Sequence, residues 1–273
     1  MRSISTTDCP TASTSYTGRS LPSPPQLRAR RRRCAVAPCR AVAVPQKAED
    51  PFAKMEEYND GLLNKFFIKY FSQKMSDTLG GRPYEEGYDG FVQLSREIMK
   101  GRSSKQQREA VGGVLDSLMP PEAQQSFRTL FPLSKWSAEI NARITVAFFG
   151  WLVGPMELQH DDITFKGRQE RWRSKVQIKK CRYLEQSGCV GMCVNMCKVP
   201  TQQFFTDRVG LPLTMNPNFE DLSCEMLFGK PPPPLEEDEA FMQPCFPHVC
   251  NIGNRDAQKP CPKIDTSRPQ PKR

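Results

Sequence analysis

The spacing of apolar residues divides the chain near residue 155. Between residues 50 and 154, apolar side chains recur at positions i, i+3, i+4 and i+7, which places them on one face of a helix. Two such sets are Leu63, Phe66, Phe67 and Tyr70, and Val111, Val114, Leu115 and Leu118. The pattern predicts further helices over residues 88–99 and 134–153, the second of which ends at Gly154 and Pro155. Residues 49–155 are therefore predicted to form a helical bundle.

After this bundle the apolar period changes from that of a helix to that of a strand. Two faces alternate over residues 172–179. One can be buried and consists of Trp172, Ser174, Val176 and Ile178, while the other meets solvent and consists of Arg173, Lys175, Gln177 and Lys179. Residues 163–165 and the turn at Lys166 and Gly167 complete a small β-hairpin. The hairpin leads directly to Cys181, the first of a group of cysteines.

These elements define a predicted fold class. The chain is expected to be mainly α with a small β-hairpin, an α+β fold. A helical N-terminal half precedes a Cys-rich, metal-binding C-terminal half over residues 156–262, and residues 263–273 are expected to be a disordered tail. Residues 211–218, which contain two prolines, are predicted to be irregular.

Positive charge is concentrated at the beginning of the chain. Residues 1–48 contain nine of the 39 basic residues and one of the 30 acidic residues, which leaves 30 basic and 29 acidic residues in the remainder. This nearly neutral body gives no reason to expect a nucleic-acid partner. The leader is rich in Ser, Thr and Pro and lacks a long apolar run, a composition typical of an organelle transit peptide. We expect a disordered transit peptide over residues 1–48 that directs the protein to a plastid. A basic tail that binds RNA or acidic lipid is the alternative.

Cleavage between about residues 39 and 47 would leave eight cysteines in the mature chain, all between Cys181 and Cys261. Because no signal peptide indicates an oxidising compartment, clustered cysteines favour a metal site over disulfides. Cys189, Cys193 and Cys197 recur every fourth residue. On an α-helix this spacing places three sulfurs along one edge, and Cys181 can complete a set of four. We therefore predict that these four cysteines bind metal, with Cys224, Cys245 and Cys250 as reserve ligands.

The spacing alone leaves the type of site open. Thiolate sulfur suits iron, zinc and iron–sulfur clusters. The run C-x3-C-x3-C differs, however, from the C-x2-C-x2-C-x3-C-P pattern of bacterial ferredoxins and from the C-x2-C pairs of zinc knuckles. Structural disulfides, structural zinc and packing of free cysteines in a core remain alternatives.

Four segments of the sequence resemble the plastid iron-containing β-carotene isomerases of the strigolactone pathway and their close paralogues. They are WLVGPMEL (151–158), KKCRYLEQSGCVGMCVNMCKVPTQ (179–202), GLPLTMNPNFEDLSCEMLFG (210–229) and QPCF (243–246). The resemblance extends from about residue 50 to residue 250. It implies reversible conversion of all-trans-β-carotene, or a related carotenoid, to its 9-cis isomer in the plastid stroma. Iron, mononuclear or in a cluster, would be the cofactor, and carotenoid cleavage dioxygenases would act downstream.

A non-catalytic iron–sulfur electron carrier or structural metal protein is the alternative function. The helical half, rich in aromatic residues, favours an extended apolar substrate instead, and Phe148, Phe149 and Trp151 are predicted to contact it. These residues lie in the apolar stretch 146–153, which is too short to span a bilayer. The stretch is expected either to enter a membrane interface, giving peripheral association with a plastid membrane, or to form the core face of the long helix.

Overall fold

Helices form the first part of the chain in the computed structural model, which describes residues 50–246, 248–250, 261 and 264. They are α1 (Leu62–Thr78), α2 (Tyr88–Met99), α3 (Ser104–Leu118), α4 (Pro121–Leu130), α5 (Lys135–Phe148) and α6 (Gly150–Val153). Helix α2 has the predicted bounds, whereas α4 was not predicted. The predicted transit peptide and, apart from Ile264, the predicted tail lie outside the described residues.

The predicted helix over residues 134–153 is interrupted. Ser134 caps α5 by accepting a hydrogen bond from the Ser137 amide at 3.2 Å, and α5 ends at Phe148. A new short helix, α6, follows, because glycine at position 150 weakens helix continuation. Gly154, with a φ of 88°, then ends α6.

Helix α1 exposes part of its predicted apolar face to solvent, which the spacing of apolar residues did not reveal. Its buried residues are Ile68, Ser72, Met75 and Ser76. Leu63, Phe66 and Tyr70, which the spacing assigned to one helix face, are 57%, 61% and 41% exposed. The period therefore predicted the helix correctly but not the direction in which this face points.

An antiparallel sheet of four strands replaces the predicted two-stranded hairpin. Its order is β1-β2-β4-β3, with strands β1 (Met156–Phe165), β2 (Arg168–Ile178), β3 (Leu213–Pro217) and β4 (Cys224–Phe228). The predicted turn joins β1 to β2, and its residues Lys166 and Gly167 have φ values of 51° and 75°. Two positive φ values in a two-residue loop match the twist of a tight hairpin. The stretch 211–218, predicted to be irregular, instead contains β3, where β4 supplies partners for its backbone.

A continuous helical run of alternating type carries most of the cysteine motif. After α7 (Arg182–Ser187), the run consists of α8 (Val190–Met192), a π-helical turn (Cys193–Lys198), α9 (Val199–Gln203) and a second π-helical turn (Phe204–Val209). Pro200 has no amide hydrogen to donate to the preceding turn, and this favours a π-helical turn there over a regular α-helical one. The cysteines therefore do not follow a regular α-helix.

One hydrophobic core joins the helical and Cys-rich halves. It contains residues from α1 and α2, from the sheet and from the Cys-rich run. At its edge Arg182 binds both carboxylate oxygens of Asp60 at 2.7 Å and stacks over the ring of Tyr88 at 3.8 Å. Glu185 accepts hydrogen bonds from the Glu56 amide and the Tyr58 hydroxyl, each at 3.0 Å. These contacts hold the segment before α1 against the first residues of the Cys-rich half.

Candidate functional site

A small buried cavity lies where the sheet meets the Cys-rich helical run. Four thiols line it, and we call it the thiol cavity: Cys181, Cys193, Cys197 and Cys224. Its volume is about 10 Å³, and no carboxylate or imidazole is among its lining residues. Three of the thiols belong to the set predicted from spacing, and the fourth, Cys224, was predicted only as a reserve ligand.

Separate elements bring the four thiols together. Cys181 lies between β2 and α7, where its amide donates to the Leu222 carbonyl at 2.7 Å. Cys224 begins β4 and pairs with Ile178 at the end of β2. Cys193 and Cys197 lie one turn apart in the first π-helical turn. A strand register and a helix therefore determine this grouping, which spacing in the sequence cannot reveal for Cys224.

Cys189, which spacing placed with Cys193 and Cys197, belongs to a different group of cysteines. It precedes α8 in an extended conformation, with φ −139° and ψ 113°, so it does not continue the helical edge of Cys193 and Cys197. Its thiol interacts electrostatically with Cys261 and Cys250, and the Cys245 thiol is hydrogen-bonded with those of Cys261 and Cys250. We call Cys189, Cys245, Cys250 and Cys261 the second thiol group. The structure thus divides the eight cysteines into two sets of four.

Burial keeps the thiols of the first set protonated. It raises the pKa of Cys181 to about 11 and that of Cys197 to about 12, and it raises the pKa values of Cys193 and Cys224 well above their ordinary value. The Lys198 ammonium group, which also lines the cavity, acts in the opposite direction on Cys193 and Cys224. A metal ion that bound here would have to displace protons from the thiols.

The donor chemistry of the thiol cavity fits iron, because an all-sulfur set is the kind that holds iron and iron–sulfur clusters. Among the described residues, however, no group of three Cys, His, Asp or Glu side chains is arranged so that it could hold a metal ion. The cavity therefore offers suitable ligands without a preformed coordination shell.

A second, apolar cavity adjoins the thiol cavity. It has a volume of about 90 Å³ and lies between the helical half and the Cys-rich run. Mainly aliphatic and aromatic side chains line it: Phe71, Met75, Phe91, Ser95, Ile98, Val111, Val114, Leu115, Leu152, Tyr183, Met196, Cys197 and Thr201. Cys197 and Tyr183 line both cavities. We call this space the apolar cavity.

Tyr183 and Lys198 are residues of this site that the sequence reasoning missed. The Tyr183 ring is buried, and its hydroxyl is hydrogen-bonded with Ser95. Burial raises the pKa of this hydroxyl above its ordinary value, so it stays protonated. Lys198 is 1% exposed and lies 2.8 Å from Asp238. The only available signal was their position in the sequence, two residues after Cys181 for Tyr183 and directly after Cys197 for Lys198.

None of the three predicted substrate contacts lines the apolar cavity, and Trp151 contacts residues that do. Trp151 is 1% exposed and packs against Phe71 at a ring distance of 4.9 Å and Phe91 at 5.8 Å, both of which line the cavity. Phe148 is 49% exposed, and Phe149 forms the break between α5 and α6. Trp151 thus lies on the core face of this stretch, while Phe148 is on its exposed side. No helix of the described residues is long and apolar enough to cross a bilayer.

A cavity larger than these two lies elsewhere. This polar groove, of about 560 Å³, lies between the β3–β4 connection and residues 239–246. Glu220, Glu225 and Glu239 line it together with several amide side chains. Such a lining suits polar ligands rather than hydrocarbons, so size alone does not indicate the site.

The fold and the two adjoining cavities define a class of protein: an α+β protein in which a buried group of thiols adjoins an apolar cavity. Comparison with known proteins gives the family. The sequence model described as "Beta-carotene isomerase D27-like, C-terminal" matches residues 151–237. The chain is 39% identical over 202 residues to "Beta-carotene isomerase D27, chloroplastic" of Arabidopsis thaliana, which covers 73% of this chain and 75% of that protein. The protein of the same name from Medicago truncatula is 37% identical over 199 residues, 73% of this chain and 77% of that protein.

The chain therefore belongs to the β-carotene isomerase D27 family, as the resemblance predicted. Both relatives are named chloroplastic, in agreement with the plastid location predicted from the leader. No solved structure gave a significant match. The matched segment 151–237 contains all four cysteines of the thiol cavity, whereas of the second thiol group it contains only Cys189.

Proposed function

We propose that this protein is a carotenoid cis/trans isomerase that converts all-trans-β-carotene, or a closely related carotenoid, reversibly to the 9-cis isomer. The observation that carries the proposal is the wall shared by the apolar cavity and the thiol cavity. The names of the relatives support the substrate class. The product would be a substrate for the carotenoid cleavage dioxygenases of the strigolactone pathway, as the family resemblance implies.

The apolar cavity would receive one segment of the polyene. Its volume of about 90 Å³ lies well below the roughly 300 Å³ that is the lower limit for most ligand pockets. A long hydrocarbon can therefore enter only in part, unless the surrounding helices separate. Phe71 and Phe91 offer flat aromatic walls to conjugated carbons, and Met75 and Met196 add polarisable sulfur. These side chains would exclude water and hold the double bond that rotates.

The cofactor in this proposal is iron, held by Cys181, Cys193, Cys197 and Cys224. Rotation about a double bond is slow because its π bond must be broken in the transition state. Iron bound by these thiolates would supply one-electron exchange, which would lower the bond order along a polyene while one of its electrons is withdrawn. Cys197, one of the proposed ligands, also lines the substrate space, and Tyr183 lines both cavities beside it. The charge of Lys198 would offset the negative charge of the thiolates.

Protonation of the polyene by an acid is the rival mechanism. Acids to consider are Glu157, Glu220 and Asp221, which lie in the segments that resemble the isomerase family. Glu157 instead pairs with Lys179 on the surface at 2.6 Å, and none of these three carboxylates lines the apolar cavity. Isomerisation in deuterated water separates the mechanisms. Reversible proton addition would introduce deuterium into the product, and electron exchange would not.

The test of the ligand set compares two cysteine variants purified without oxygen. Cys224→Ser should lose iron and isomerase activity, because position 224 lines the thiol cavity. Cys189→Ser is the matched control and should keep its iron, because position 189 belongs to the second thiol group. Iron, acid-labile sulfide and the ratio of carotene isomers would be measured for both. Loss of iron from Cys189→Ser but not from Cys224→Ser would restore the set predicted from spacing.

The test of the substrate space fills the apolar cavity. Val111→Phe adds bulk to the lining and should abolish isomerisation while iron content stays at the wild-type value. Unchanged activity would place the substrate elsewhere. Iron-loaded wild-type protein that isomerises no carotenoid would favour the alternative function, a non-catalytic iron–sulfur or structural metal protein.

A further inference from the structure

Helix α1 carries an exposed apolar strip that the fold leaves uncovered. Leu62, Leu63, Phe66 and Tyr70 are 89%, 57%, 61% and 41% exposed, and we call them the surface strip. At about 100° per residue, they fall within an arc of roughly 100° on the first two and a half turns of the helix. The opposite face, at Ile68, Ser72 and Met75, packs into the protein. Apolar side chains that are grouped and exposed in this way indicate an interaction surface.

Lysines border the surface strip on both sides. On the helical wheel, Lys65 and Lys69 flank one edge and Lys74 the other. The Lys74 ammonium group lies 5.8 Å from the Tyr70 ring centre. From Leu62 to Ser76 the helix contains no acidic residue. An apolar strip between lysines is the pattern of a helix that lies in the interface of a lipid bilayer, where the lysines meet anionic headgroups.

Aromatic side chains connect the surface strip to the apolar cavity. The rings of Phe66 and Phe67 are 5.5 Å apart, and Phe67 stacks on Trp151 at 6.4 Å. Trp151 in turn contacts Phe71 at 4.9 Å, and Phe71 lines the cavity. One helix therefore presents both an outer face suited to lipid and an inner residue at the substrate space.

We propose that α1 is a membrane-docking helix, which inserts the surface strip into the headgroup region of an anionic bilayer and so holds the apolar cavity, which lies behind the helix, close to that bilayer. The choice of a lipid partner rests on the proposed function, because a carotene is dissolved in membranes rather than in water. At 1.5 Å per residue, the surface strip is about 13 Å long. A strip of this length offers too little area for a stable protein–protein interface, but it is sufficient for peripheral insertion into a bilayer. This proposal moves membrane contact from the stretch 146–153 to α1.

The test measures flotation of the full chain with vesicles of neutral lipid, with and without an anionic lipid. Phe66→Ser/Tyr70→Ser should reduce partition into anionic vesicles about tenfold or more, because two inserted aromatic side chains are lost. Ile144→Ser/Phe148→Ser is the matched control. It also removes two apolar residues four positions apart, with exposures of 39% and 49%, from helix α5. This control should float like the wild type. The leader is present in every sample, so its charge cannot explain a difference.

Three flotation outcomes would overturn the proposal. They are equal flotation of the Phe66→Ser/Tyr70→Ser variant and the wild type, an equal loss in the control, and a wild type that does not bind anionic vesicles. A dimeric wild type that becomes monomeric in the Phe66→Ser/Tyr70→Ser variant would also overturn it, because a second copy would then cover the strip. Sedimentation without lipid makes that measurement.

Isomerase assays separate this proposal from the proposed function. The Phe66→Ser/Tyr70→Ser variant should isomerise carotene dispersed in detergent at the wild-type rate but lose activity on carotene in vesicles. Equal loss in both forms would contradict a docking role. If the wild type is inactive in both assays while its flotation depends on the strip, the proposed function fails and membrane docking stands.

Discussion

Replacing Lys198 by Met would test how the protein holds a charge beside the thiol cavity. The Lys198 Nζ lies 2.8 Å from Asp238 Oδ2, and their side chains are only 2% and 5% exposed. The ammonium group also donates to the Met215 carbonyl, and Asp238 Oδ1 accepts from the Ala240 amide at 3.1 Å. The pair thereby joins the Cys-rich helical run to the segment that leads to the second thiol group.

The expected cost follows from leaving one charge buried without its partner. Lys198→Met keeps an apolar side chain of similar length but removes the cation, so the buried Asp238 carboxylate loses its compensation. Breaking a buried pair from one side costs about 3–5 kcal/mol, whereas removing both charges is often nearly neutral. Lys198→Met/Asp238→Asn should therefore be more stable than the sum of the single variants predicts, by about 0.5–3 kcal/mol.

Urea unfolding, followed by circular dichroism, would give the free energies of unfolding for the four proteins of this cycle. Lys179→Met is the control, because its pair with Glu157 has the same chemistry at 2.6 Å but the side chains are 61% and 54% exposed. That variant should lose at most about 1 kcal/mol. A loss below 1 kcal/mol in Lys198→Met, with strict additivity in the double variant, would refute the assignment of a buried, compensated charge.

Two further stability predictions concern single contacts. Arg182→Met should lower the free energy of unfolding by about 3 kcal/mol, because Asp60 loses a bidentate partner. Adding Asp60→Asn to that variant should restore part of the loss. An unchanged urea midpoint in Arg182→Met would show that this contact does not hold the segment before α1 in place. Gly188→Ala should cost at least about 1 kcal/mol more than Gly101→Ala, since both glycines have positive φ but only at 188 would a Cβ approach Val249, to 2.4 Å. Equal unfolding free energies for the two alanine variants would contradict this packing.

The sequence predicted local elements well where one residue period governs a segment. Helices α1 and α2 and the turn at Lys166 and Gly167 all appear in the structure. The strands β3 and β4 were missed because each has only five residues. In so short a strand, pairing with a neighbour decides the conformation more than the period of its own side chains does. The exposure of one apolar face of α1 was missed for a similar reason. The period of apolar residues shows that they share a helix face, but it does not show whether the rest of the protein covers that face.

The grouping of cysteines shows the same limit at the candidate site. Spacing correctly associated Cys193 with Cys197, because they share one helical turn. It also included Cys189, which adopts an extended backbone instead of the helical one that the spacing assumed. Cys224 reaches the cavity through the pairing of β4 with β2, a contact between residues far apart in sequence. Elements close in sequence were thus predictable, and those joined by tertiary pairing were not.

The outer strand β1 of the sheet has a consequence for solubility. Within the part of the chain that the structure describes, strand β1 pairs with β2 alone, so along its other side the backbone is open to pairing with another molecule. The residues of β1 from Gln159 to Asp162 include a histidine and two aspartates, and the register shifts between Gln159 and Asp161. Charge and a bulge are both known to prevent edge-to-edge aggregation. The sequence His160-Asp161-Asp162 is therefore explained by protection of a β-sheet edge, and apolar replacements there should make the protein prone to assemble into β-rich aggregates.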